Sequence, residues 1–416
     1  MEQKQVFYVR AERIYMEDGC ADGLLQITDG RITALLPPEA AEKLPSGQIL
    51  DARGMQVIPG IFDTHNHGTC GYSLESTRTG DENVRTVHGY LKACASQGIT
   101  SVFPTPSPGM ISAVAETAAG KPDGARILGI HSEGPWLARV GEGGTPHPCE
   151  PASLQTARKL WEDAGGLLRL VSFAPEVPGI WPVADFFLSR GVTLGAAHSN
   201  NRYAAAMDAY NRGIRVATHT GNVMTDMHHR DIGGLGAALT HPDVQCEVIC
   251  DGNHICNEML RIYFRQKDYS RFMMISDSTA YCGAPVGEYI LRDGTRRHLT
   301  RDGQVLTDSG RRCGSARSVL SGIRNLTQNL GLPLETALEM ACLTPARFYG
   351  FGDRKGSLRV GKDADLVILS DRCQVLKTIC AGRTVYDRKT DGAILNPDFT
   401  REYGWTGPES EIVAGS

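Results

Sequence analysis

Six side chains in this sequence are of the right types and spacing to build a metal-centred hydrolytic site: His65, His67, Glu133, His198, His219 and Asp277. Each closes a short apolar run, where a buried strand hands over to a loop. In Val57-Ile58-Pro59-Gly60-Ile61-Phe62-Asp63-Thr64-His65-Asn66-His67-Gly68 the two histidines stand two residues apart. Alternation along a strand puts residues i and i+2 on one face, so both imidazoles can address one ion. Glu133 follows Arg126–Ile130 in His131-Ser132-Glu133-Gly134-Pro135, and His198 follows Val192–Ala197. His219 follows Val216–Thr218, and Asp277 follows Phe272–Ser276. Imidazoles mixed with carboxylates suit zinc or a similar divalent metal. Such an ion makes water nucleophilic near neutral pH and stabilises charge on a carbonyl oxygen. A carboxylate beside that water takes its proton and returns it to a departing amine. Asp277, ending the last of these runs, fits that role. A lone histidine at a strand end is ordinarily a satisfied core residue, but six groups in register are not explained that way.

Positioning these groups falls to the elements between them. Strand-like runs occur at Gly60–Thr64, Ile99–Pro104, Arg126–His131, Leu168–Ala174, Val192–Ala197, Ile214–Thr218, Cys246–Cys250 and Phe272–Ser276. Helical patterns such as Asp81–Gln97, Pro151–Ala164 and Asn201–Arg212 separate them. Eight strand–helix units predict a (β/α)8 TIM-type barrel over residues 58–352, an α/β fold whose active sites gather at the C-terminal strand ends. The termini read differently. Gln5–Val9, Arg13–Met16, Leu24–Thr28 and Arg31–Leu35 are short strands, with Asp29-Gly30 as a hairpin turn. Ala364–Leu369, Val375–Ala381 and Gly382–Tyr386 resume that style. Residues 1–57 and 353–416 therefore predict one small β-sandwich domain built from both chain ends.

Composition removes several function classes. The 416 residues are 41 % hydrophobic and 22 % charged, ordinary for a soluble globular protein. A net charge of −4 without a basic cluster offers no footprint for nucleic acid. The polar start Met1-Glu2-Gln3-Lys4-Gln5 lacks a signal-peptide core, and no run approaches the ~20 apolar residues of a membrane span. The 12 cysteines include no Cys-x-x-Cys pair, so reduced thiols and a cytoplasmic setting are expected. Cys70 and Cys282, close to His67 and Asp277, read as bystanders.

The chain resembles the amidohydrolase superfamily and, within it, the N-acetylglucosamine-6-phosphate deacetylases. The likeness runs from Pro59–Gly68 through His131-Ser132-Glu133-Gly134-Pro135-Trp136, Ala174-Pro175-Glu176 and Ala197-His198-Ser199-Asn200. It continues with Ala217-Thr218-His219, Asn222, Met224, His228-His229-Arg230, Asp251-Gly252-Asn253-His254 and Ser276-Asp277-Ser278-Thr279-Ala280. The run at 361–367 resembles the return into the small domain. The resemblance implies hydrolysis of the acetamide of N-acetylglucosamine 6-phosphate or a close relative. It implies that Glu133, His198 and His219 hold the principal divalent metal, most simply zinc, with one or two ions per subunit. His65 and His67 then form a second site bridged by Glu133, with Asp277 as general base and acid. His254 is implied near the reacting group, and Asn222 and Arg230 at the phosphate, Arg230 reaching across a homodimer.

Three segments depart from the family pattern. Gly221 stands where an aromatic residue is usual, which predicts an open wall. Arg312-Cys313-Gly314-Ser315-Ala316-Arg317 replaces an apolar loop after the eighth strand and adds two cations, and His147 is displaced in the loop after Trp136. These changes touch substrate contacts and not the metal set. Another amidohydrolase acting on a different N-acyl or cyclic amide is therefore the alternative. The fourth run lacks the lysine that a dihydropyrimidinase requires.

Overall fold

Continuous apolar runs mark strands buried on both faces. Ile99–Pro104 and Gln245–Ile249 are buried at every position. The computed structural model describes residues 5–75, 80–120, 122–140, 145–146, 151–291 and 293–406, so His147 lies outside the described residues. It arranges the middle of the chain as parallel strands. We label eight of them β1 (Ile61–Asn66), β2 (Ile99–Pro104), β3 (Ile130–Glu133), β4 (Leu168–Phe173), β5 (Thr193–Ala196), β6 (Val216–Ala217), β7 (Gln245–Ile249) and β8 (Phe272–Ile275). β1 pairs with β2, and β2 with the short strand Arg126–Ile127. β3 to β8 form a six-stranded parallel sheet in chain order. Beyond β8 the chain returns to β1: the Asp277 amide donates to the His65 carbonyl and the His67 amide to Ser278, each at 2.9 Å.

The expected third strand, Arg126–His131, is two strands. Its first half pairs with β2, and after Leu128-Gly129 its second half pairs with β4. The helices fall where the periodicity places them. Asp81–Ser96 buries Val87, Tyr90, Leu91 and Cys94, the i, i+3, i+4, i+7 stripe of one face. Asp81 and Glu82 sit in its first turn, where the dipole favours negative charge. Leu154–Asp163 starts at Ser153, whose hydroxyl accepts from the Thr156 amide at 3.2 Å.

Both chain ends share one eight-stranded sheet. Leu366–Leu369 lies antiparallel to Gln56–Pro59, which joins the N-terminal strands Val6–Met16, Gly19–Thr28 and Arg31–Leu36 to the C-terminal ones. Val9, Ile14, Leu25, Ile27, Val57, Leu366 and Ile368 pack as its core. Buried charge at the junction is paired: Lys355 meets Asp365 at 2.5 Å and Asp363 at 3.1 Å.

A further four-stranded antiparallel sheet comprises Gly287–Ile290, Arg296–Leu299, Gln304–Leu306 and Arg312–Ser315. The segment expected as a loop after the eighth strand is thus the last strand of an inserted sheet. Asp302-Gly303 and Ser309-Gly310 supply its turns. Its end runs beside β8, the Ser315 amide donating to Asp277 at 3.2 Å and the Thr279 amide to Ser315 at 2.9 Å. Among the described residues, no helix is long and apolar enough to cross a membrane.

Candidate active site

β1 ends in His65-Asn66 and β3 in Glu133, while His198, His219 and Asp277 follow β5, β6 and β8 by two residues each. The last three adopt positive φ, at 51°, 33° and 47°. Non-glycine residues seldom occupy that region, and such conformations persist where surrounding structure over-determines them. The strained turns aim all three side chains at a common point.

Glu133 stands at the centre. Its Oε1 lies 2.8 Å from His219 Nε2 and 3.2 Å from His198 Nε2. Its Oε2 lies 3.2 Å from His67 Nε2 and 3.5 Å from His65 Nε2. Asp277 Oδ1 is 3.4 Å from both His65 and His67. Donors held about 2.0–2.2 Å from a tetrahedral zinc are separated from one another by roughly 3.4 Å. Apart from the 2.8 Å contact, the spacings of 3.2–3.5 Å are close to that edge, so the donor set fits a divalent metal.

The nitrogen that each imidazole turns toward Glu133 is set by what the other ring nitrogen does. His198 Nδ1 donates to the Arg139 carbonyl at 2.9 Å and His219 Nδ1 to the Asn222 carbonyl at 3.2 Å. His65 Nδ1 faces Glu247 Oε2 at 3.4 Å. Partners of this kind orient metal-binding imidazoles and raise their basicity. Burial alone would raise the Glu133 and Asp277 carboxyls. The histidines outweigh it, His65 foremost, and hold both well below the usual carboxylate range. Burial likewise opposes charge on His67, yet Asp277 and Glu133 lift it to about 10. Both carboxylates are thus held ionised beside the imidazoles.

A cleft of about 440 Å³ opens over these groups, lined among others by His67, Glu133, His198, His219, Asn222, His254 and Asp277. Asn222 is 4 % exposed, and among the described residues its side-chain oxygen has no hydrogen-bond partner. His254 donates through Nδ1 to Asp251 at 2.9 Å, which leaves Nε2 as the nitrogen available to a ligand. Arg230 is exposed and does not line the cleft of its own chain. Its loop is held by Asp231, which accepts from Arg202 Nε at 2.6 Å and from the Gly233 amide at 2.9 Å.

One expectation about the divergent segments is corrected, and the two added cations take different places. Gly221 does not leave a wall open: at φ 96° its missing Cβ would fall 2.1 Å from the Tyr263 hydroxyl, so the space is already filled. Of the two added cations, Arg312 lines the cleft, whereas Arg317 lies over Gly303 and donates to the Asp302 carbonyl at 2.9 Å. Trp136 is buried against Phe187.

Several contributors escape a reading from strand ends alone. Glu247 lies mid-strand in an apolar run, and a fully buried glutamate there is the one available signal. Asp63 accepts from Ser276 Oγ at 2.6 Å and Asn66 Nδ2 at 3.0 Å, tying the His65 turn to the Asp277 turn. His131 is buried against Ser172, and burial with nearby His65 keeps it neutral. Tyr281, Arg297 and Arg311 also line the cleft, brought there by the inserted sheet and the loop after β8.

A profile of the amidohydrolase family matches residues 56–385. An N-acetylglucosamine-6-phosphate deacetylase of Vibrio furnissii is 32 % identical over 84 % of this chain and 86 % of its own. An N-acetylgalactosamine-6-phosphate deacetylase of Escherichia coli O157:H7 is 28 % identical over 88 % of this chain and 96 % of its own. The crystal structure of N-acetylglucosamine-6-phosphate deacetylase from Pasteurella multocida superposes with a TM-score of 0.81 at 26 % identity, covering 91 % of this chain and 99 % of that one.

Proposed function

The chain belongs to the amidohydrolase family and, within it, to the N-acetylglucosamine-6-phosphate deacetylases; from that premise we propose its reaction, its metal set and its architecture. The reaction is hydrolysis of the acetamide of N-acetylglucosamine 6-phosphate, or a close N-acetylhexosamine phosphate, to the amino sugar phosphate and acetate. The carrying observation is the Glu133 carboxylate between two imidazole pairs, with Asp277 3.4 Å from His65 and His67. Glu133, His198 and His219 would hold the principal ion, and His65 and His67 a second with Glu133 as bridge. Zinc suits this donor set best. A divalent ion there supplies the positive charge that polarises an amide carbonyl and acidifies water.

Asp277 accepts the proton of the attacking water and passes it to the amine nitrogen as the C–N bond breaks. His254, steadied by Asp251, donates from Nε2 to the carbonyl oxygen as negative charge develops there. Asn222, which lines the cleft, meets the phosphate together with Arg230. Arg230, exposed in its own chain, serves the cleft of a second copy in a homodimer, where a guanidinium can bind phosphate in bidentate fashion. β1 to β8 make a (β/α)8 barrel over residues 58–352, and residues 1–57 and 353–416 the small β-sandwich. The 2.9 Å bonds from the β8 turn to β1, and the sheet shared by both chain ends, support that division. Buried free thiols such as Cys94, Cys250 and Cys342 support a reducing, cytoplasmic setting.

Acetate release by the zinc-loaded protein from N-acetylglucosamine 6-phosphate, its galacto and manno epimers, and unphosphorylated N-acetylglucosamine tests the reading. Fast release from a phosphorylated sugar bears it out, and none from any of them refutes it. In the same assay Arg230→Ala raises KM for phosphorylated sugars by about tenfold or more, with little change for the unphosphorylated one. If both respond alike, Arg230 does not read the phosphate.

The Asp251–His254 pair carries a pH signature. Burial lowers the His254 pKa, but Asp251 outweighs it and the net direction is up. The protonated imidazole therefore persists to higher pH than a free histidine would allow. Asp251→Asn removes that lift and draws the alkaline limb of the kcat/KM profile toward acid. An unmoved limb would remove His254 from the proton inventory.

A further inference from the structure

We propose that Glu247 is a positioning residue for the metal centre: through His65 it sets how tightly the His65–His67 position holds its ion. The inference rests on the two-ion reading above and deepens it. It assigns the difference between the two positions to one buried carboxylate.

Glu247 is the third residue of β7, a strand buried at all five positions, and is itself fully buried. Strands covered on both faces are ordinarily filled by branched apolar side chains, so a carboxylate among them needs partners. Its main chain is held by the Thr220 amide, which donates to the Glu247 carbonyl at 2.6 Å. Its side chain reaches past β8, which pairs with β7 and, through the turn that follows it, bonds to β1. There the Thr64 hydroxyl donates to Oε1 at 3.0 Å, which leaves Oε2 for His65 Nδ1 at 3.4 Å. His131 shares this buried cluster but turns Nε2 to Ser172 Oγ at 2.8 Å. His65 is therefore the imidazole that the carboxylate serves.

The four imidazoles around Glu133 are backed unequally. His198 and His219 turn Nδ1 to the main-chain carbonyls of Arg139 and Asn222, at 2.9 and 3.2 Å. The His-x-His pair turns Nδ1 to carboxylates instead, His65 to Glu247 and His67 to Glu75 at 3.7 Å. These two carboxylates differ in weight. The Glu75 side chain is 62 % exposed, and water screens an ion pair so placed. The side chains of His65 and Glu247 are both fully buried, so their interaction is unscreened. A carboxylate behind one ring nitrogen makes the other a stronger donor to a cation. Removal of such a partner typically lowers metal affinity by about 10–100-fold.

Charge separates this role from packing. A glutamine at 247 keeps the volume and an oxygen that accepts from His65 Nδ1, and it removes only the carboxylate's charge. The loss falls on one position, because the side-chain contacts of Glu247 run to Thr64 and His65 while the other pair rests on main-chain carbonyls. A residue that merely filled space would leave both affinities where they were.

Zinc titration against a competing chelator, with the ions counted by mass spectrometry after dialysis, decides the matter. The proteins are wild type, Glu247→Gln, Thr64→Val, Glu75→Gln, and His67→Ala with and without Glu247→Gln. The expected result is two ions in the wild type, one of them bound about 10–100-fold more weakly in Glu247→Gln and the other unchanged. Thr64→Val, which frees Oε1 alone, gives a smaller loss of the same ion and carries the test should Glu247→Gln not fold. Glu75→Gln keeps both affinities within about threefold. Once His67→Ala has removed the second ion, adding Glu247→Gln takes away little more. Unchanged affinities in Glu247→Gln and Thr64→Val overturn the proposal. So does equal weakening of both ions, because the carboxylate would then shape the whole centre and not one position. A single ion in the wild type, weakened by Glu247→Gln, keeps Glu247 behind His65 and refutes the two-ion reading. A single ion at unchanged strength refutes both. None of these counts uses acetate release, so they stand whatever the substrate proves to be.

Discussion

Asp277→Asn lowers kcat for acetate release by about 10³-fold or more while leaving the metal content at the wild-type level. The substitution preserves shape and removes only the proton acceptor. It is also gentle on the backbone, because Asp277 sits at φ 47°, a region that asparagine tolerates better than most residues. The carboxylate is half-buried at the cleft floor, and its desolvation would favour the neutral form. His65, His67 and His219 overcome that and keep it ionised, ready to accept a proton. Its Oδ1 lies 3.4 Å from each imidazole of the His-x-His pair, near enough to the ligand set for a competing role as a ligand. The two roles separate cleanly. Metal analysis after dialysis shows a full complement if Asp277 is the base, and a deficit if it holds the ion. Turnover within tenfold of wild type would remove it from either role.

That Asp277 could be singled out before any coordinates reflects how parallel α/β architecture writes itself into sequence. Strands buried on both faces must be apolar throughout, so a histidine or carboxylate that ends such a run stands out. His65, Glu133, His198, His219 and Asp277 were legible for that reason. The helix at Asp81–Ser96 was legible because its apolar residues repeat at 3.6. Features fixed by distant pairing were not. Nothing local told that Arg126–His131 changes partner at Leu128-Gly129, because the step depends on β2 and β4 lying to either side. The inserted sheet left only its Asp-Gly and Ser-Gly turns as signals, and its register decides that Arg312 enters the cleft while Arg317 turns to Asp302. Side-chain direction was equally hidden. The positive φ at His198 and His219 aims both imidazoles at Glu133, and Gly221 is required by Tyr263, whose contact lies 42 residues on in sequence.

The Glu133 bridge carries the largest expected effect on the metal itself. Each carboxylate oxygen serves a different imidazole pair, so one substitution strikes both positions. In Glu133→Gln one oxygen becomes an amide donor, which no metal accepts, and the remaining oxygen keeps less charge. Loss of a hydrogen-bonding partner behind a ligand typically costs 10–100-fold in affinity, so loss of a shared ligand costs about 100-fold or more. At metal concentrations that saturate the wild type, a 100-fold weaker site forfeits up to about 2.7 kcal/mol of metal-linked stability. The variant therefore unfolds at lower temperature than the metal-loaded wild type, and added zinc recovers the difference only at much higher concentration. His67→Ala supplies the contrast, because it touches only one imidazole pair. It should lose at most one ion per subunit, whereas Glu133→Gln loses binding at both positions. Equal metal content in Glu133→Gln and wild type, measured by mass spectrometry after dialysis against a weak chelator, would refute the bridge. Equal deficits in the two variants would mean that the four imidazoles serve one ion and not two.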